Sequence, residues 1–288
     1  MTIKHIGIIG SGTMGGGIAQ VAAQSGFDVI LYDVESAMLA RAISNLTLTF
    51  NKLVEKGKLK QEEAEATLAR ITTATSLNDL AGCDFIIEAA PEKLDLKQSL
   101  FSNLESLISD QAILATNTST LSVTQIASGC KRPQNVVGMH FFNPAPLLPL
   151  VEVIATAVTA DAVVTATLDL AKHMGKTAVQ VKDVPGFIVN RVARPFYLEA
   201  LRLLEEGVAD HATLDKLIRD GGGFRMGPFE LMDLIGLDIN YAASLSVYES
   251  YFYEPRYRPS LAQQRMVESG RLGRKTGRGW YDYNKNEQ

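Results

Sequence analysis

The segment HFFNPAPLLPLVE begins with a histidine, His140, and ends with a carboxylate, Glu152. His140 closes one apolar run and Glu152 opens the next, so two adjacent strands joined by the Pro-rich loop would bring the two side chains together. A carboxylate beside an imidazole fixes the tautomer of the ring and stabilises the imidazolium that forms on proton uptake. The segment therefore predicts a general base. The alternative is a buried histidine and an unrelated surface glutamate.

A glycine-rich segment near the start of the chain, GIIGSGTMG, carries the pattern G-x-G-x-x-G at Gly10, Gly12 and Gly15. These positions permit a tight turn, close approach of a pyrophosphate, and packing of the next helix, whose N-terminus attracts phosphates. The following strand, FDVILYD, ends in Asp33, at the spacing of the acid that binds the adenosine ribose. The unit predicts NAD rather than NADP, because a 2′-phosphate would meet this carboxylate. The alternative is a glycine-rich turn without a ligand.

The first part of the chain alternates apolar strand patterns with amphipathic helical patterns, which is typical of a parallel sheet covered on both faces. We therefore predict an α/β fold of the Rossmann type, with a doubly wound, mostly parallel sheet, over residues 1–183. The predicted strands are Ile3–Ile9, Asp28–Tyr32, Phe85–Glu88, Ala112–Ala115, Val136–Met139 and Val151–Ile154. The predicted helices are Met14–Gln24, Glu35–Lys56, Gln61–Arg70, Lys93–Ile108 and Asp161–His173.

After Lys182 the pattern becomes almost entirely helical, and the turn signal Asp183–Gly186 marks the predicted boundary. Residues 184–288 are predicted to form an all-helical C-terminal domain for substrate binding. Its apolar content predicts a homodimer built through this domain. The predicted helices are Phe187–Glu206, His211–Asp220, Pro228–Ile235, Ile239–Tyr253 and Ser260–Ser269, with a break at Gly221–Gly223 and the tail RKTGRGWYDY in a loop and a short extended segment.

The composition argues against several classes of partner. The 288 residues carry a formal net charge of −4 without a long run of one sign, so no nucleic-acid partner is expected. No apolar run approaches the length of a membrane span and no cleavable leader precedes the first strand pattern, so we expect no membrane and a cytoplasmic location. Cys83 and Cys130 lack the spacing of a metal site or a disulfide framework, so no metal is expected.

Eight motifs along nearly the whole chain resemble the short-chain L-3-hydroxyacyl-CoA dehydrogenases, a family that includes the 3-hydroxybutyryl-CoA dehydrogenases. The motifs are GIIGSGTMGGGIAQ, EAAPEKLDLK, ATNTST, GMHFFNPAP, LVEVI, KDVPGFIVNR, MGPFELMDLIGLD and LGRKTGRGWYDY. The resemblance implies that His140 is the catalytic base and that Glu152 is its partner. It also implies that Ser119 and Asn190 orient the substrate and the nicotinamide, where the residues alone allow a helix N-cap and a helix-face amide. Thr120 departs from the family's usual serine but keeps the hydroxyl.

Further binding residues are expected at the carboxyl ends of the later strands, where open α/β sheets bind ligands. With the resemblance, the predicted cofactor-binding residues are Gly10, Gly12, Thr13, Met14, Gly15, Asp33, Ala90, Glu92, Lys97, Asn117, Ser119 and Asn143. The predicted substrate residues are Ser119, Asn190, Lys52 and Lys56. The two lysines lie four apart on one helix face, where they can bind the phosphates of coenzyme A or remain solvated. A solvated position is also the alternative for Lys97.

The reaction implied by the resemblance is the reversible, NAD-dependent oxidation of an (S)-3-hydroxyacyl-CoA to a 3-ketoacyl-CoA, as in the β-oxidation of fatty acids. One alternative is another NAD-linked hydroxyacid dehydrogenase. The β-hydroxyacid dehydrogenases share the GTMG-type start but use a catalytic lysine, which the segment VPGFIVNRV does not contain. The other alternative is a non-catalytic NADH-binding or structural homologue, against which the intact set of His140, Glu152, Ser119 and Asn190 argues.

The segments NRVARPFYLEALRLLEEGVA and GFRMGPFELMDLIGLDIN look most like the dehydrogenases of aerobic phenylacetate degradation, which oxidise 3-hydroxyadipyl-CoA. The distal carboxylate of that substrate needs a cation, because burial of an unpaired carboxylate is costly. Arg194 and Arg225 are the candidates. Arg225 stands where the family commonly has proline, which leaves its loop unpredicted. The alternatives are surface or interface arginines and a four-carbon substrate, 3-hydroxybutyryl-CoA.

Overall fold

The computed structural model describes residues 3–284 and consists of two compact units, Met1–Val184 and Pro185–Gln288. Residues 1–2 and 285–288, which fall within the two predicted domain ranges, lie outside the described part. No helix within residues 3–284 is long and apolar enough to cross a bilayer.

The first unit is built on an eight-stranded sheet with the strand order β3-β2-β1-β4-β5-β6-β7-β8. All neighbouring strands are parallel except β6 and β7, which are antiparallel. This confirms the predicted Rossmann-type, mostly parallel sheet. The strands are β1 His5–Ile9, β2 Asp28–Tyr32, β3 Ile71–Ala74, β4 Phe85–Glu88, β5 Ile113–Thr116, β6 Val136–Phe141, β7 Leu150–Ala155 and β8 Thr177–Lys182.

Helices cover both faces of this sheet, which explains why its central strands are continuous apolar runs. Ile6 and Ile8 of β1 pack in the main core, whereas Gly7 between them faces Leu80 and Cys83 on the opposite side. The helices of the first unit are α1 Thr13–Gln24, α2 Ser36–Glu55, α3 Gln61–Ala69, α4 Leu94–Leu107, the short α5 Val123–Ala127 and α6 Asp161–His173.

Two strands, β3 and β8, were not predicted from the sequence. They are the outermost strands of the sheet, and each has a neighbour on one side only. β3 is the short segment ITTA, and β8, TAVQVK, contains exposed polar residues. Neither pattern has the apolar continuity by which the central strands are recognised, because an edge strand is only partly covered.

The second unit is all-helical, as predicted. Its helices are α7 Val189–Glu205, α8 His211–Gly222, α9 Pro228–Ile235, α10 Leu237–Ser250 and α11 Leu261–Glu268. The predicted glycine break at 221–223 is displaced: α8 continues through Gly222 and ends at Gly223, which adopts the left-handed conformation with φ of 71°. Leu198, Leu201 and Phe229 lie at the centre of the core of this unit.

Two buried carboxylates, Asp215 and Asp233, form hydrogen bonds with the C-terminal segment of the second unit. Asp233 accepts hydrogen bonds from the amides of Trp280 and Tyr281, at 3.0 Å each, and from the Tyr283 hydroxyl at 3.0 Å. Asp215 accepts a hydrogen bond from the Tyr281 hydroxyl at 2.8 Å, together with two amides at the start of α9. The motif RKTGRGWYDY is therefore part of the packed unit.

Candidate active site

His140 and Glu152 lie directly opposite each other on the antiparallel strands β6 and β7. Nδ1 of His140 is 2.8 Å from Oε2 of Glu152, and both side chains are buried. The carboxylate acceptor assigns the proton of the neutral ring to Nδ1. Nε2 is then the nitrogen that lacks a proton, which is the state required of a general base.

The glycine-rich loop between β1 and α1 has the geometry of a dinucleotide cradle. Gly10 has φ of 91°, and a Cβ there would lie 2.7 Å from the Ala89 carbonyl oxygen. A Cβ at Gly15 would lie 1.7 Å from the Gly10 carbonyl oxygen, so α1 packs against the loop too closely for any side chain. Gly12 has open space around it and is the N-cap of α1. The residues present fit a pyrophosphate at this helix N-terminus. Thr13 and Met14 form the first turn.

Asp33 lies just after β2, beside this loop. Its Oδ2 accepts hydrogen bonds from both the amide and the hydroxyl of Ser11, at 2.8 Å each. Partial burial acts to raise the pKa of Asp33, but these hydrogen bonds and that from the Glu35 amide outweigh it and hold the pKa below its usual value. The side chain is therefore an ionised hydrogen-bond acceptor. Ser11 was not singled out from the sequence.

Lys97 does not lie on a solvated face, which was the alternative to its predicted role in cofactor binding. Its ammonium is buried, with 1% of the side chain exposed, and lies 2.5 Å from Oε1 of Glu88 and 3.3 Å from Oε2 of Glu92. It also donates to the Ala90 carbonyl oxygen at 3.2 Å. Glu88 in turn accepts the Thr116 hydroxyl at 2.7 Å. Lys97 thus connects Glu88, Ala90 and Glu92, at and after the end of β4, and does not lie on a solvated face.

Glu92 connects this segment to the loop after β5. One carboxylate oxygen accepts the Thr118 hydroxyl at 2.5 Å, the Ser119 amide at 3.0 Å and the Thr120 amide at 3.2 Å. Burial acts to raise the pKa of Glu92, but the Lys97 ammonium and these hydrogen bonds prevail and keep it below its usual value. The backbone of Ser119 is thereby fixed at the carboxyl edge of the sheet.

Asn117 joins the ends of β5 and β6. Its Oδ1 accepts a hydrogen bond from the Phe141 amide at 2.8 Å. Phe141 directly follows His140, so the amide side chain holds the backbone next to the proposed base. Asn143 is exposed in the loop between β6 and β7.

The remaining predicted residues lie elsewhere. Lys52 and Lys56 are exposed at the C-terminal end of α2. Asn190 lies in the first turn of α7 in the second unit, and its carbonyl oxygen accepts a hydrogen bond from Nε of Arg194 at 3.1 Å. Arg225 is exposed.

No group of three or more histidine, cysteine or acidic side chains within residues 3–284 could hold a metal ion. The sequence pointed to the segments that begin at Glu88 and Thr116, at the carboxyl ends of their strands, but not to the hydrogen bond between these two side chains. It gave no signal for Lys176.

Residues 5–184 match the 3-hydroxyacyl-CoA dehydrogenase NAD binding domain, and residues 186–283 match the C-terminal domain of the same enzymes. The chain is 48% identical over 283 residues to the 3-hydroxyadipyl-CoA dehydrogenase of Escherichia coli K12, and the match covers 98% of this chain and 60% of that protein.

Two solved structures are similar over almost the whole chain. The crystal structure of 3-hydroxybutyryl-CoA dehydrogenase from Escherichia coli K12 has a TM-score of 0.97 at 47% identity, covering 100% of this chain and 61% of that one. That of (S)-3-hydroxybutyryl-CoA dehydrogenase from Ralstonia eutropha has a TM-score of 0.95 at 39% identity, covering 99% and 100%. The chain thus spans about three fifths of the length of the matched Escherichia coli sequence and of the matched Escherichia coli structure, and all of the Ralstonia one.

Proposed function

This chain belongs to the 3-hydroxyacyl-CoA dehydrogenase family, and on that premise we propose that it oxidises (S)-3-hydroxyacyl-CoA to 3-ketoacyl-CoA with NAD, reversibly. The observation that carries the proposal is the His140–Glu152 pair at 2.8 Å, buried on adjacent strands. A secondary alcohol can be oxidised when a base takes the hydroxyl proton while a hydride leaves the carbinol carbon.

In the proposed mechanism, Nε2 of His140 takes the hydroxyl proton, and the Glu152 carboxylate stabilises the imidazolium that results. NAD, when bound, supplies the hydride acceptor. Asp33 accepts hydrogen bonds from the adenosine ribose, and Gly10, Gly12 and Gly15 admit the pyrophosphate. The Ser119 hydroxyl donates to the developing oxyanion, which is useful because negative charge grows on that oxygen in the transition state. Asn190 has the same role in the proposal, on the strength of the family resemblance.

Glu92, Lys97, Ala90 and Asn117 support the cofactor site in this proposal chiefly by fixing its loops. The support for this reading is the burial of Lys97 and the four hydrogen bonds that Glu92 accepts from residues 118–120. Lys52 and Lys56 are proposed to attract the phosphates of coenzyme A, and their exposure supports this.

The preferred acyl chain is proposed to be a dicarboxylate, as in 3-hydroxyadipyl-CoA, with a place in phenylacetate degradation. The Escherichia coli relative with that name, at 48% identity, supports this choice. Of the two candidate cations, Arg194 is 3% exposed and donates from Nη1 to the Asn240 carbonyl oxygen at 2.9 Å and the Ser244 hydroxyl at 3.1 Å. Arg225 is exposed, so the proposal assigns the distal carboxylate to Arg225.

The proposal includes a homodimer formed through the second unit. Exposed apolar side chains of that unit support it: Val192, Leu217, Phe224, Ile239 and Phe252. A second copy would remove such surface from water.

The proposed location is the cytoplasm. The two free cysteines, Cys83 and Cys130, suit this location. Burial raises the pKa of the Cys83 thiol to about 12 and that of the Cys130 thiol to about 11.

The test is an NADH-absorbance assay with a series of 3-hydroxyacyl-CoA substrates. Turnover of these thioesters, with free 3-hydroxy acids unreactive, is the expected result. Activity on free hydroxy acids alone would support another NAD-linked hydroxyacid dehydrogenase. NADH binding without turnover of any acyl-CoA would support a non-catalytic homologue.

A further inference from the structure

The loop 142–149 connects β6 to β7 and so joins the strand of His140 to the strand of Glu152. Lys176, directly before β8, is 9% exposed and reaches this loop with its ammonium. Nζ donates to the Ala145 carbonyl oxygen at 2.6 Å and to the Leu148 carbonyl oxygen at 3.0 Å. One side chain therefore holds two points of the loop.

The partners of Lys176 are unusual for a buried cation. Within residues 3–284 no carboxylate forms an ion pair with it, and burial lowers its pKa. Burial of an ammonium without a counter-charge is costly, and an apolar side chain of the same length would avoid that cost. What the ammonium provides and an apolar chain cannot is the pair of hydrogen bonds to the loop carbonyls.

The same loop packs against α1, the helix that begins at the glycine-rich cradle. A Cβ at Gly17 would lie 3.2 Å from Cδ of Pro146 and 3.3 Å from Cβ of Ala145. Ala145 is itself buried in the core of the first unit. The loop therefore contacts Lys176 on one side and the glycine face of α1 on the other.

We propose that Lys176 and Gly17 are positioning residues that hold the loop 142–149 in the place required for cofactor binding. The inference rests on the proposed function, which assigns Asn143 of this loop to the cofactor. Lys176 acts through the backbone of Ala145 and Leu148 and does not itself contact the cofactor. Gly17 acts by the absence of a side chain, which lets the loop lie against α1.

The experiment measures the dissociation constant of NADH by fluorescence, and kcat and KM for NAD, in Lys176→Met and Gly17→Ala. Lys176→Met removes the two hydrogen bonds to the loop, and Gly17→Ala adds a methyl group where the loop packs against α1. A small misplacement of a binding group weakens binding and turnover by roughly 10-fold to 100-fold, and we expect a loss of NADH affinity at the lower end of that range. Because alanine favours a helix more than glycine, a loss of affinity in Gly17→Ala does not follow from a weakened helix.

Two matched variants serve as controls. Lys172→Met removes an exposed ammonium from the last turn of α6, where its one ion-pair partner among residues 3–284 is Asp169. Gly82→Ala adds a methyl group where a Cβ meets nothing within 4 Å. Both should bind NADH as the unaltered protein does.

A double-mutant cycle separates positioning from a general loss of structure. If Lys176 acts on the cofactor through the loop that carries Asn143, Lys176→Met should have little further effect on NADH binding in an Asn143→Ala background. Unchanged NADH affinity in both Lys176→Met and Gly17→Ala, or effects of Lys176→Met and Asn143→Ala that simply add, would overturn the inference. If the single variant Asn143→Ala binds NADH as the unaltered protein does, the assignment of Asn143 in the proposed function is refuted. The inference about Lys176 and Gly17 is then tested by comparing the NADH affinity of Lys176→Met and Gly17→Ala with that of the unaltered protein.

Discussion

Glu152 lies directly across the β6–β7 ladder from His140, so the backbone hydrogen bonds of the sheet also set the distance between the proposed base and its carboxylate. The pair does not depend on a mobile loop for its geometry. Replacement of either side chain should therefore remove chemistry without loss of the fold.

We expect His140→Ala to lose roughly 10²-fold to 10⁴-fold in kcat, because a general base contributes a factor of that size. Glu152→Gln should also be severely impaired, since the amide keeps the shape but cannot stabilise the imidazolium. NADH binding, measured by fluorescence, should be nearly unchanged in both variants. Turnover close to normal in His140→Ala would remove the mechanism.

Asp33→Ala should raise the KM for NAD and narrow the gap in kcat/KM between NAD and NADP, because the ribose loses its acceptor and a 2′-phosphate no longer meets a negative charge. Ser11→Ala removes one of the hydrogen bonds that keep the pKa of Asp33 low. Loss of a donor to the charged form raises that pKa, so the weakening of NADH binding on acidification should begin at a higher pH in Ser11→Ala. Equal efficiency of the unaltered protein with NAD and NADP would contradict the assignment.

Lys97→Met should lower the free energy of unfolding by about 3–5 kcal/mol at pH 7, because Glu88 is left buried without its cation. The folded-state pKa of Glu92 is lowered partly by Lys97, so this carboxylate adds stability above its unfolded pKa and loses it as the pH falls through the folded value. The difference in the free energy of unfolding between Lys97→Met and the unaltered protein should therefore become smaller below about pH 4.3, the ordinary pKa of glutamate. Urea titrations at several pH values measure this. Lys93→Met, at an exposed lysine of the same segment, is the control and should unfold like the unaltered protein.

Light scattering at micromolar concentration should give the mass of a dimer. Val192→Glu, at an exposed apolar position of α7, should shift the protein towards the monomer, because an unpaired carboxylate at an interface is costly. Val158→Glu, at an exposed apolar position of the first unit, should leave the mass unchanged. A monomeric unaltered protein would refute the proposal.

The preference for a dicarboxylate should appear as a higher kcat/KM for 3-hydroxyadipyl-CoA than for 3-hydroxybutyryl-CoA. In Arg225→Ala only the longer substrate should be affected, by roughly 10-fold or more, since a charge-assisted hydrogen bond is worth about 1.5–3 kcal/mol. Arg256→Ala, at another exposed arginine of the second unit, is the control. A clear preference for the shorter substrate, together with an equal effect of Arg225→Ala on both, would show that the dicarboxylate assignment is wrong.

The sequence was most informative where one pattern fixes both structure and chemistry. The strand–glycine loop–helix unit ending in Asp33, and the two apolar runs around His140 and Glu152, follow from local patterns and lie where these patterns placed them. The edge strands β3 and β8 could not be recognised, because partial exposure removes the apolar continuity that marks a buried strand.

Side-chain contacts between residues that are distant in sequence were harder to predict than helices and strands. Lys97 has the same neighbours in sequence whether it faces solvent or pairs with Glu88, and only the packing of α4 on the sheet decides between them. Lys176 gave no local signal, since its partners are the backbone carbonyls of Ala145 and Leu148, which any residue type would supply.

The two carboxylates of the second unit also constrain the order in which that unit can be completed during synthesis. The donors to Asp233 come from residues 280–283, whereas Asp215 also accepts two amides at the start of α9. Asp233 therefore leaves the ribosome before its donors, and its burial before they emerge would carry a large desolvation cost. We expect α9 to reach its final packing only when the tail arrives.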